Sequence, residues 1–136
     1  MSQFTLVAMG GTFDIIHKGH LTLLAKAFSI STNVIIGLTS DELAEKRGKK
    51  TLNNYEKRFE ILKNTIKINF PNHLFQIAKL DNDFGPAVLK ENVQALVVSD
   101  ETGNQGEILN QLRKKKNLTP VKIVIVPMVL AHDGNR

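Results

Sequence analysis

Near its start the chain reads Gly10-Gly11-Thr12-Phe13-Asp14-Ile15-Ile16-His17-Lys18-Gly19-His20. An apolar segment, Phe4–Met9, precedes this run and predicts a β-strand. The segment His17–Ile30 has apolar residues at helical spacing and predicts an amphipathic helix. Glycines, a threonine and two histidines therefore lie where a strand is followed by a helix N-terminus. Because phosphates bind at such junctions in α/β folds, the run predicts a phosphate-binding site.

Apolar strand candidates alternate with helical patterns along the rest of the chain. The further strands are predicted at Asn33–Leu38, Phe75–Ala78, Ala95–Ser99 and Val121–Val126. Helices are predicted after the capping patterns Thr39/Glu42 and Asn53/Glu56, from Asp83 and Pro86 to about Glu91, and at Glu107–Lys116. This alternation predicts a single α/β, Rossmann-like domain with a mostly parallel sheet of about five strands and helices on both faces. One edge of the sheet is then expected to carry the loops after Met9, Leu38, Ala78, Ser99 and Val126.

Composition narrows the class of protein. The chain has 136 residues, 42% of them apolar, which predicts one soluble domain with its own core. It has no cysteine, so disulfides and thiolate metal sites are excluded within it. No apolar run is long enough to span a bilayer and no secretion signal is visible, so we expect a cytoplasmic protein without a membrane partner.

The net charge of +5 is compatible with a polyanionic partner. Only 6% of the residues are aromatic and none interleaves with the basic clusters, so the sequence predicts no stacking platform for nucleic-acid bases. The basic residues between Lys46 and Arg58 are expected to face a phosphate-rich small molecule. The second basic cluster, Arg113–Lys116, is expected to be a solvated face.

The residue types of the first run suggest how a phosphate is held. Gly10 and Gly11 are expected to let the backbone turn sharply and approach a ligand closely. Thr12 offers a hydroxyl and an N–H, and His17 and His20 share one face of the first helical turn, where they can donate to phosphate oxygens. The simpler alternative is that the glycines only make a turn and the histidines lie at the surface. A metal site is not predicted, since no third ligand has matching local spacing.

Asp14 and two other histidines allow plainer interpretations. Asp14 is expected to cap the helix or to hold the loop through backbone N–H groups, with orientation of a histidine or of a metal-bound water as the alternative. His73 and His132 stand alone in the sequence and are expected to be incidental to function.

These residues together resemble the signature of a known superfamily. The pattern Gly-Gly-Thr-Phe-Asp-x-x-His-x-Gly-His is similar to the motif of the nucleotidyltransferases named for their His-x-Gly-His sequence, which share a dinucleotide-binding-like α/β fold. Within that superfamily the whole chain, 1–136, most resembles the archaeal phosphopantetheine adenylyltransferases. Four further stretches support this resemblance: Gly37–Glu42, Tyr55–Arg58, Val97–Thr102 and Asn110–Arg113.

The resemblance implies a reaction in which ATP and 4′-phosphopantetheine give 3′-dephospho-coenzyme A and pyrophosphate. The acceptor phosphate attacks the α-phosphorus of ATP directly, so no protein nucleophile is needed. Catalysis then consists of positioning and of stabilising charge on the transferred group. The resemblance also implies Mg²⁺, which accompanies ATP and neutralises the triphosphate. Monomer and small homo-oligomer both remain open.

The resemblance also assigns roles to residues of this sequence. It implies ATP binding by Gly10, Gly11, Thr12, Phe13, His20 and Arg113. It implies catalysis by Thr12, His17, His20 and a lysine of the basic loop, with Lys49 and Lys50 as candidates and Lys46 as a third. It implies acceptor binding by Thr12, Lys49, Arg58, Ser99, Glu101, Thr102 and Asn110. The alternatives are an exposed helix position for Arg58 and a place in the solvated basic run for Arg113.

One departure from the family pattern concerns the end of the sequence. Family members usually continue past an Asp-Gly pair into an Ile-Ser-Ser-Thr-Arg-like segment that helps to bind the triphosphate, whereas this sequence reads Asp133-Gly134-Asn135-Arg136 and stops. The domain is therefore expected to lack that segment, or the sequence to be truncated.

Three other functions remain open. One is a related nucleotidyltransferase with another acceptor, such as a glycerol-3-phosphate cytidylyltransferase or a mononucleotide adenylyltransferase. A second is a non-catalytic nucleotide-binding module. A third, motivated only by the net charge, is a nucleic-acid-binding domain.

Overall fold

A computed structural model of the chain describes residues 3–81, 92–99 and 104–127. In chain order its elements are β1 (Phe4–Gly11), α1 (Lys18–Ile30), β2 (Ser31–Thr39), α2 (Asp41–Lys46), α3 (Tyr55–Asn69), β3 (Leu74–Leu80), β4 (Ala95–Ser99), α4 (Asn104–Lys115) and β5 (Lys122–Val126). The helix predicted from Asp83 and Pro86 to Glu91 lies outside the described residues. Within the described ranges, no helix combines the length and the apolar character needed to cross a membrane.

The five strands form one sheet in the order β3-β2-β1-β4-β5, and every pair is parallel. The predicted α/β, Rossmann-like fold is therefore confirmed. Because the strands are parallel, their last residues share one edge of the sheet, called here the carboxyl edge. The order of the strands reverses at β1, which has β2 on one side and β4 on the other. In open α/β sheets such a reversal opens the crevice in which ligands bind.

Two apolar clusters cover the two faces of the sheet. Alternate residues of β1 point to opposite faces, as the two-residue period of a strand requires. Val7 and Met9 belong to the cluster that α1 and α3 cover, whereas Leu6 and Ala8 belong to the cluster that α4 covers. In α3 the predicted apolar face is confirmed by four residues, of which the last two are fully buried: Tyr55, Phe59, Leu62 and Ile66.

The first strand is longer than the sequence predicts. β1 continues through Gly10 and Gly11, which pair with Gly37 and Leu38 of β2. The turn expected at the two glycines is therefore wrong. The backbone turns instead at Phe13, whose φ of 50° lies in the left-handed region. Gly10 and Gly11 extend β1 because each pairs with a residue of the neighbouring strand β2.

Two helix caps also lie one residue further along the chain than predicted. Ser40 caps α2, with its hydroxyl accepting a hydrogen bond from the N–H of Leu43. Thr39 stays in β2 because its hydroxyl donates to the carbonyl of Gly11. Similarly Asn54, not Asn53, caps α3. In both cases the predicted residue is hydrogen-bonded to another part of the chain: Thr39 to Gly11, and Asn53 to Asp14.

Gly37 allows β3 to pack closely against the centre of the sheet. A Cβ atom built on Gly37 would stand 2.8 Å from both Cγ and Cδ1 of Leu80, and one on Gly10 would stand 3.3 Å from Cδ1. Leu80 is buried and ends β3. The absence of side chains on these paired glycines therefore makes room for one leucine at the carboxyl edge.

We predict that Gly37→Ala lowers the free energy of unfolding by about 1–3 kcal/mol, because the new methyl group overpacks against Leu80. Urea denaturation monitored by circular dichroism measures the change. The control is the same substitution in a Leu80→Ala background, where the space is open and we expect little or no further loss. An equal loss in both backgrounds would mean that contact with Leu80 is not the cause.

Candidate active site

The loop after β1 turns on a buried aromatic residue. Phe13 is only 1% exposed, and its ring lies 4.9 Å from the His20 ring, centroid to centroid. A left-handed conformation in a residue other than glycine costs of order 1–3 kcal/mol, which burial of the ring offsets here. A Cβ on Gly11 would stand 3.1 Å from the same ring. Phe13 thus acts as a packing anchor for the loop and for the first turn of α1.

The two histidines are held together at the start of α1. His17 is the N-cap, and its Nδ1 accepts a hydrogen bond from the N–H of Gly19 at 3.0 Å. The Nδ1 of His20 accepts one from the N–H of His17 at 3.2 Å, and the two rings stack with centroids 4.0 Å apart. A neutral imidazole that accepts at Nδ1 carries its proton on Nε2. Each ring, accepting at Nδ1, therefore has its Nε2–H left to donate.

His20 is uncharged at neutral pH. Burial of the ring, together with the positive charges of His17 and Lys49, lowers its pKa from 6.5 to about 4. The ring therefore donates a hydrogen bond without having to lose a proton. Such a donor can stabilise negative charge that develops on a phosphate oxygen.

One lysine of the basic loop reaches the loop after β1. The Nζ of Lys49 lies 3.3 Å from the hydroxyl oxygen of Thr12. Lys49 and Lys50 both line a cavity of about 630 Å³ between α2 and residues 48–51. Lys46 lies in the last turn of α2. Of the three predicted lysines, the structure thus places Lys49 beside Thr12.

Asp14 holds a distant segment rather than the helix that follows it. Its carboxylate accepts hydrogen bonds from the N–H groups of Leu52 at 2.7 Å and Asn53 at 3.0 Å. These bonds, the one from Leu52 foremost, hold the pKa of Asp14 below its usual value. The prediction that Asp14 holds a loop through N–H groups is confirmed. The alternative that it caps α1 is wrong, because His17 is the N-cap.

Arg58 is fully buried beneath the carboxyl edge. Its Nη1 donates to the carbonyl of Thr12 at 3.0 Å and to that of Thr39 at 2.7 Å. Its Nε donates to the carbonyl of Asn53, and its Nη2 forms an ion pair with Asp41 at 2.7 Å. The predicted exposed position is wrong. The predicted acceptor contact is replaced by these bonds to protein oxygens, which occupy the guanidinium from several sides.

Asn110 and Arg113 lie at the opposite edge of the sheet. The side-chain amide of Asn110 bonds to both the N–H and the carbonyl of Val121, and Nε of Arg113 donates to the carbonyl of Thr119 at 2.8 Å. Both partners precede β5. The structure therefore does not bring these two side chains to the carboxyl edge, where acceptor and ATP binding were predicted, because α4 runs back from that edge. The solvated position for Arg113 is wrong, since the side chain is fully buried.

The remaining predicted residues lie at the carboxyl edge or outside the described part of the chain. Ser99 ends β4 and is buried. Glu101, Thr102 and His132 lie outside the described residues. Within residues 3–81, 92–99 and 104–127, no three His, Asp or Glu side chains are grouped as a metal site.

Two residues of the site were missed by the sequence reasoning. Asp41 pairs with Arg58, and Asn53 bonds to Asp14. These partners are 17 and 39 residues apart in the chain. Local spacing carries no signal for contacts over such separations.

Comparison with known proteins assigns the family. The family described as cytidylyltransferase-like matches residues 8–135. The chain belongs to the cytidylyltransferase-like family. The resemblance read from the Gly10–His20 run is thereby confirmed.

Individual relatives of this cytidylyltransferase-like chain cover nearly all of it. It is 41% identical to the phosphopantetheine adenylyltransferase of Methanosarcina barkeri over 94% of the chain and 80% of that protein. It is 32% identical to the phosphopantetheine adenylyltransferase of Methanopyrus kandleri, over 100% and 87% respectively. The crystal structure of a protein of unknown function from Archaeoglobus fulgidus superposes with a TM-score of 0.80 at 30% identity, covering 90% of this chain and 89% of that one.

We predict that His20 titrates near pH 4 in the folded protein, below the ordinary histidine value of 6.5. The measurement is an NMR titration of the imidazole Cε1–H signals, with His20→Gln assigning the resonance. Lys49→Ala removes one cause of the shift and should raise the midpoint. A midpoint at or above 6.5 would contradict the burial and charge argument.

The same shift predicts how stability depends on pH. Between about pH 4 and 6.5 the unfolded chain binds a proton at His20 that the folded chain does not. The free energy of unfolding is therefore expected to fall as the pH is lowered through this range. Urea denaturation at several pH values should show a shallower fall for His20→Gln. Parallel curves for the two proteins would contradict the prediction.

Proposed function

We propose that this chain transfers the adenylyl group of ATP to 4′-phosphopantetheine, giving 3′-dephospho-coenzyme A and pyrophosphate. One observation carries the proposal: a neutral His20 in the first turn of α1 and the ammonium group of Lys49 both lie beside the loop after β1, where Thr12 contacts Lys49 and the strand order reverses. The archaeal relatives named phosphopantetheine adenylyltransferase support the choice of nucleotide and acceptor, because the match to this chain covers at least 80% of the length of each of them.

Each residue of the site has a distinct role in this proposal. The Nε2–H groups of His17 and His20 donate to the phosphate oxygens of ATP, with His20 nearer the transferred group. Lys49 supplies a positive charge and Thr12 supplies a hydroxyl and an N–H, so both can hold the acceptor phosphate close to the α-phosphorus. Gly10, Gly11 and Phe13 shape the backbone against the nucleotide. The acceptor phosphate is itself the nucleophile, so the side chains only position groups and stabilise charge.

Mg²⁺ belongs to this proposal as part of the ATP substrate. The described residues offer no group of three metal ligands. This donor set, made of histidine, lysine and threonine, suits phosphate oxygens rather than a divalent cation held by protein carboxylates. The metal ion would neutralise triphosphate charge when ATP binds, and the protein would contact the phosphates.

The acceptor side of the site lies along the same edge. Ser99 ends β4 next to β1, and the proposal extends acceptor binding to Glu101 and Thr102. The proposal treats residues 1–136 as one nucleotidyltransferase domain. It places the enzyme in the cytoplasm with two small-molecule substrates and no nucleic-acid or membrane partner.

The testing experiment is mass spectrometry of the product formed from ATP, Mg²⁺ and 4′-phosphopantetheine. We expect 3′-dephospho-coenzyme A, and we expect His20→Ala to lower kcat by about 10²–10³-fold, since it removes a donor to the developing charge. Circular dichroism checks that the variant is folded. Activity within threefold of the native protein would remove His20 from the reaction.

Two neighbouring lysines provide a matched pair. Lys49→Ala removes the ammonium group beside Thr12 and is expected to lower kcat/KM by about 10²-fold or more. Lys50→Ala removes the same charge one residue away and is expected to change it less than about fivefold. Equal, mild effects of both substitutions would mean that the loop is only a solvated basic surface.

A substrate panel separates the alternatives. Glycerol 3-phosphate with CTP and a mononucleotide with ATP test the related nucleotidyltransferases. Turnover of either, without turnover of phosphopantetheine, would overturn the proposed acceptor. ATP binding without pyrophosphate release, seen also with the gene's complete reading frame, would identify a non-catalytic module.

A further inference from the structure

A fully buried arginine connects the segments that carry the proposed site. Arg58 lies in the first turn of α3, one turn after the Asn54 cap. It has no exposed surface, although arginine is rarely buried in proteins without paired partners. Beneath the carboxyl edge, its guanidinium donates four hydrogen bonds to backbone and carboxylate oxygens.

The three backbone carbonyl oxygens that Arg58 contacts belong to three separate segments. Two are the carbonyls of Thr12, in the loop after β1, and Thr39, the last residue of β2, and both accept from Nη1. The third is the carbonyl of Asn53, just before α3. The planar fork of a guanidinium can contact several acceptors at fixed angles, which the single ammonium group of a lysine cannot reproduce.

The charge of Arg58 is compensated by Asp41 at the start of α2. The hydrogen bond from Arg58 holds the pKa of the Asp41 carboxyl below its usual value, so this carboxyl is ionised at neutral pH. The second carboxylate oxygen of Asp41 accepts from the N–H of Tyr55 at 3.1 Å. The pair therefore ties the N-terminus of α2 to the N-terminus of α3.

The segment that carries Lys49 lies between these two helices. We call residues 47–54 the lysine strap. Its far end is held by Asp14, which binds the N–H groups of Leu52 and Asn53, and by Arg58, which binds the carbonyl of Asn53. Its near end is continuous with α2, which the Arg58–Asp41 pair holds. The far end of the strap is thus bonded directly to Arg58 and Asp14, and its near end is attached to the Arg58–Asp41 pair through the six residues of α2.

Thr12 contacts both Arg58 and Lys49. Its carbonyl is held from below by Arg58, while its hydroxyl lies 3.3 Å from Nζ of Lys49. The same guanidinium therefore orients both the residue that Lys49 contacts and the strap on which Lys49 is carried. A shift of about 1 Å in such groups is enough to lower a rate by about 10²-fold.

We infer that Arg58 is a positioning residue for adenylyl transfer: it aligns Thr12 and the lysine strap so that the ammonium group of Lys49 lies at the Thr12 hydroxyl. This inference deepens the proposed function and rests on it. Arg58 acts through Lys49 and Thr12 and does not contact the substrate itself. The plain alternative is that Arg58 only stabilises the fold.

A second buried arginine gives a matched control. Arg113 is also fully buried and also donates from Nε to a backbone carbonyl, but it lies at the opposite edge of the sheet. Arg58→Lys and Arg113→Lys make the same chemical change at equal burial. Both are expected to lower the melting temperature. Asp41→Asn, which keeps the size of a half-exposed side chain, is the milder variant should Arg58→Lys not fold.

The first readout does not depend on activity. Hydrogen–deuterium exchange of the lysine strap is followed by mass spectrometry in the native protein and in the three variants. We expect about tenfold faster exchange in the strap for Arg58→Lys and Asp41→Asn, and an unchanged strap for Arg113→Lys. Unchanged exchange in the two site variants would overturn the inference, whatever reaction the native protein catalyses.

The second readout is a double-mutant cycle on kcat, measured below the melting temperature of every variant. Arg58→Lys is expected to lower kcat about 30–100-fold in the native background but less than about tenfold in a Lys49→Ala background, because the position of Lys49 no longer matters there and only that of Thr12 still does. Arg113→Lys is expected to stay within about threefold in both backgrounds.

The two experiments distinguish failure of the positioning role of Arg58 from failure of the proposed function. The inference is overturned if Arg58→Lys lowers kcat by the same factor in both backgrounds, or if Arg113→Lys lowers it as much as Arg58→Lys. If the native protein forms no dephospho-coenzyme A, the proposed function fails, while the exchange experiment still decides whether Arg58 orders the strap.

Discussion

The parallel pairing of β1 with β2 on one side and β4 on the other is the constraint on which the rest of the structure depends. Val7 and Ala8 have no exposed surface, so β1 is covered on both faces. Every strand then ends at the same edge, and the loop after the central strand emerges where the strand order reverses. The position of the Gly10–His20 run in space follows from this topology.

Positive charge at the carboxyl edge is divided between two kinds of residue. Arg58 is buried and paired with Asp41, so its charge serves to hold segments together. Lys49 is exposed and its ammonium group donates to the Thr12 hydroxyl, so its charge is available to a phosphate. Burial of the His20 ring, and then its closeness to His17 and to the ammonium group of Lys49, lowers the pKa of His20 and disfavours its protonated form. The edge therefore offers the ammonium group of Lys49 and the ring N–H donors of the two histidines side by side.

Several parts of the fold and the site could be predicted because they depend on neighbouring residues. Periodicity predicted β4 at Ala95–Ser99 with both boundaries correct, and residue spacing placed His17 and His20 on one turn. The prediction for Asn110 and Arg113 placed them correctly on one helix but at the wrong edge. The topology of the predicted sheet already implied the correct edge, because a helix that follows a parallel strand ends at the opposite edge of the sheet.

The sequence by itself determined the order of strands and helices, the family motif and the pairing of the two histidines, because each of these depends on hydrophobic periodicity or on spacings of a few residues. Only the tertiary structure decided that Lys49 rather than Lys50 meets Thr12 and that Arg58 is buried among backbone oxygens. It also decided that Asp14 holds Leu52 and Asn53. The contacts of Thr12 with Lys49 and Arg58, and of Asp14 with Leu52 and Asn53, join residues 37 to 46 positions apart along the chain, and only the packing of the sheet and its helices brings them together.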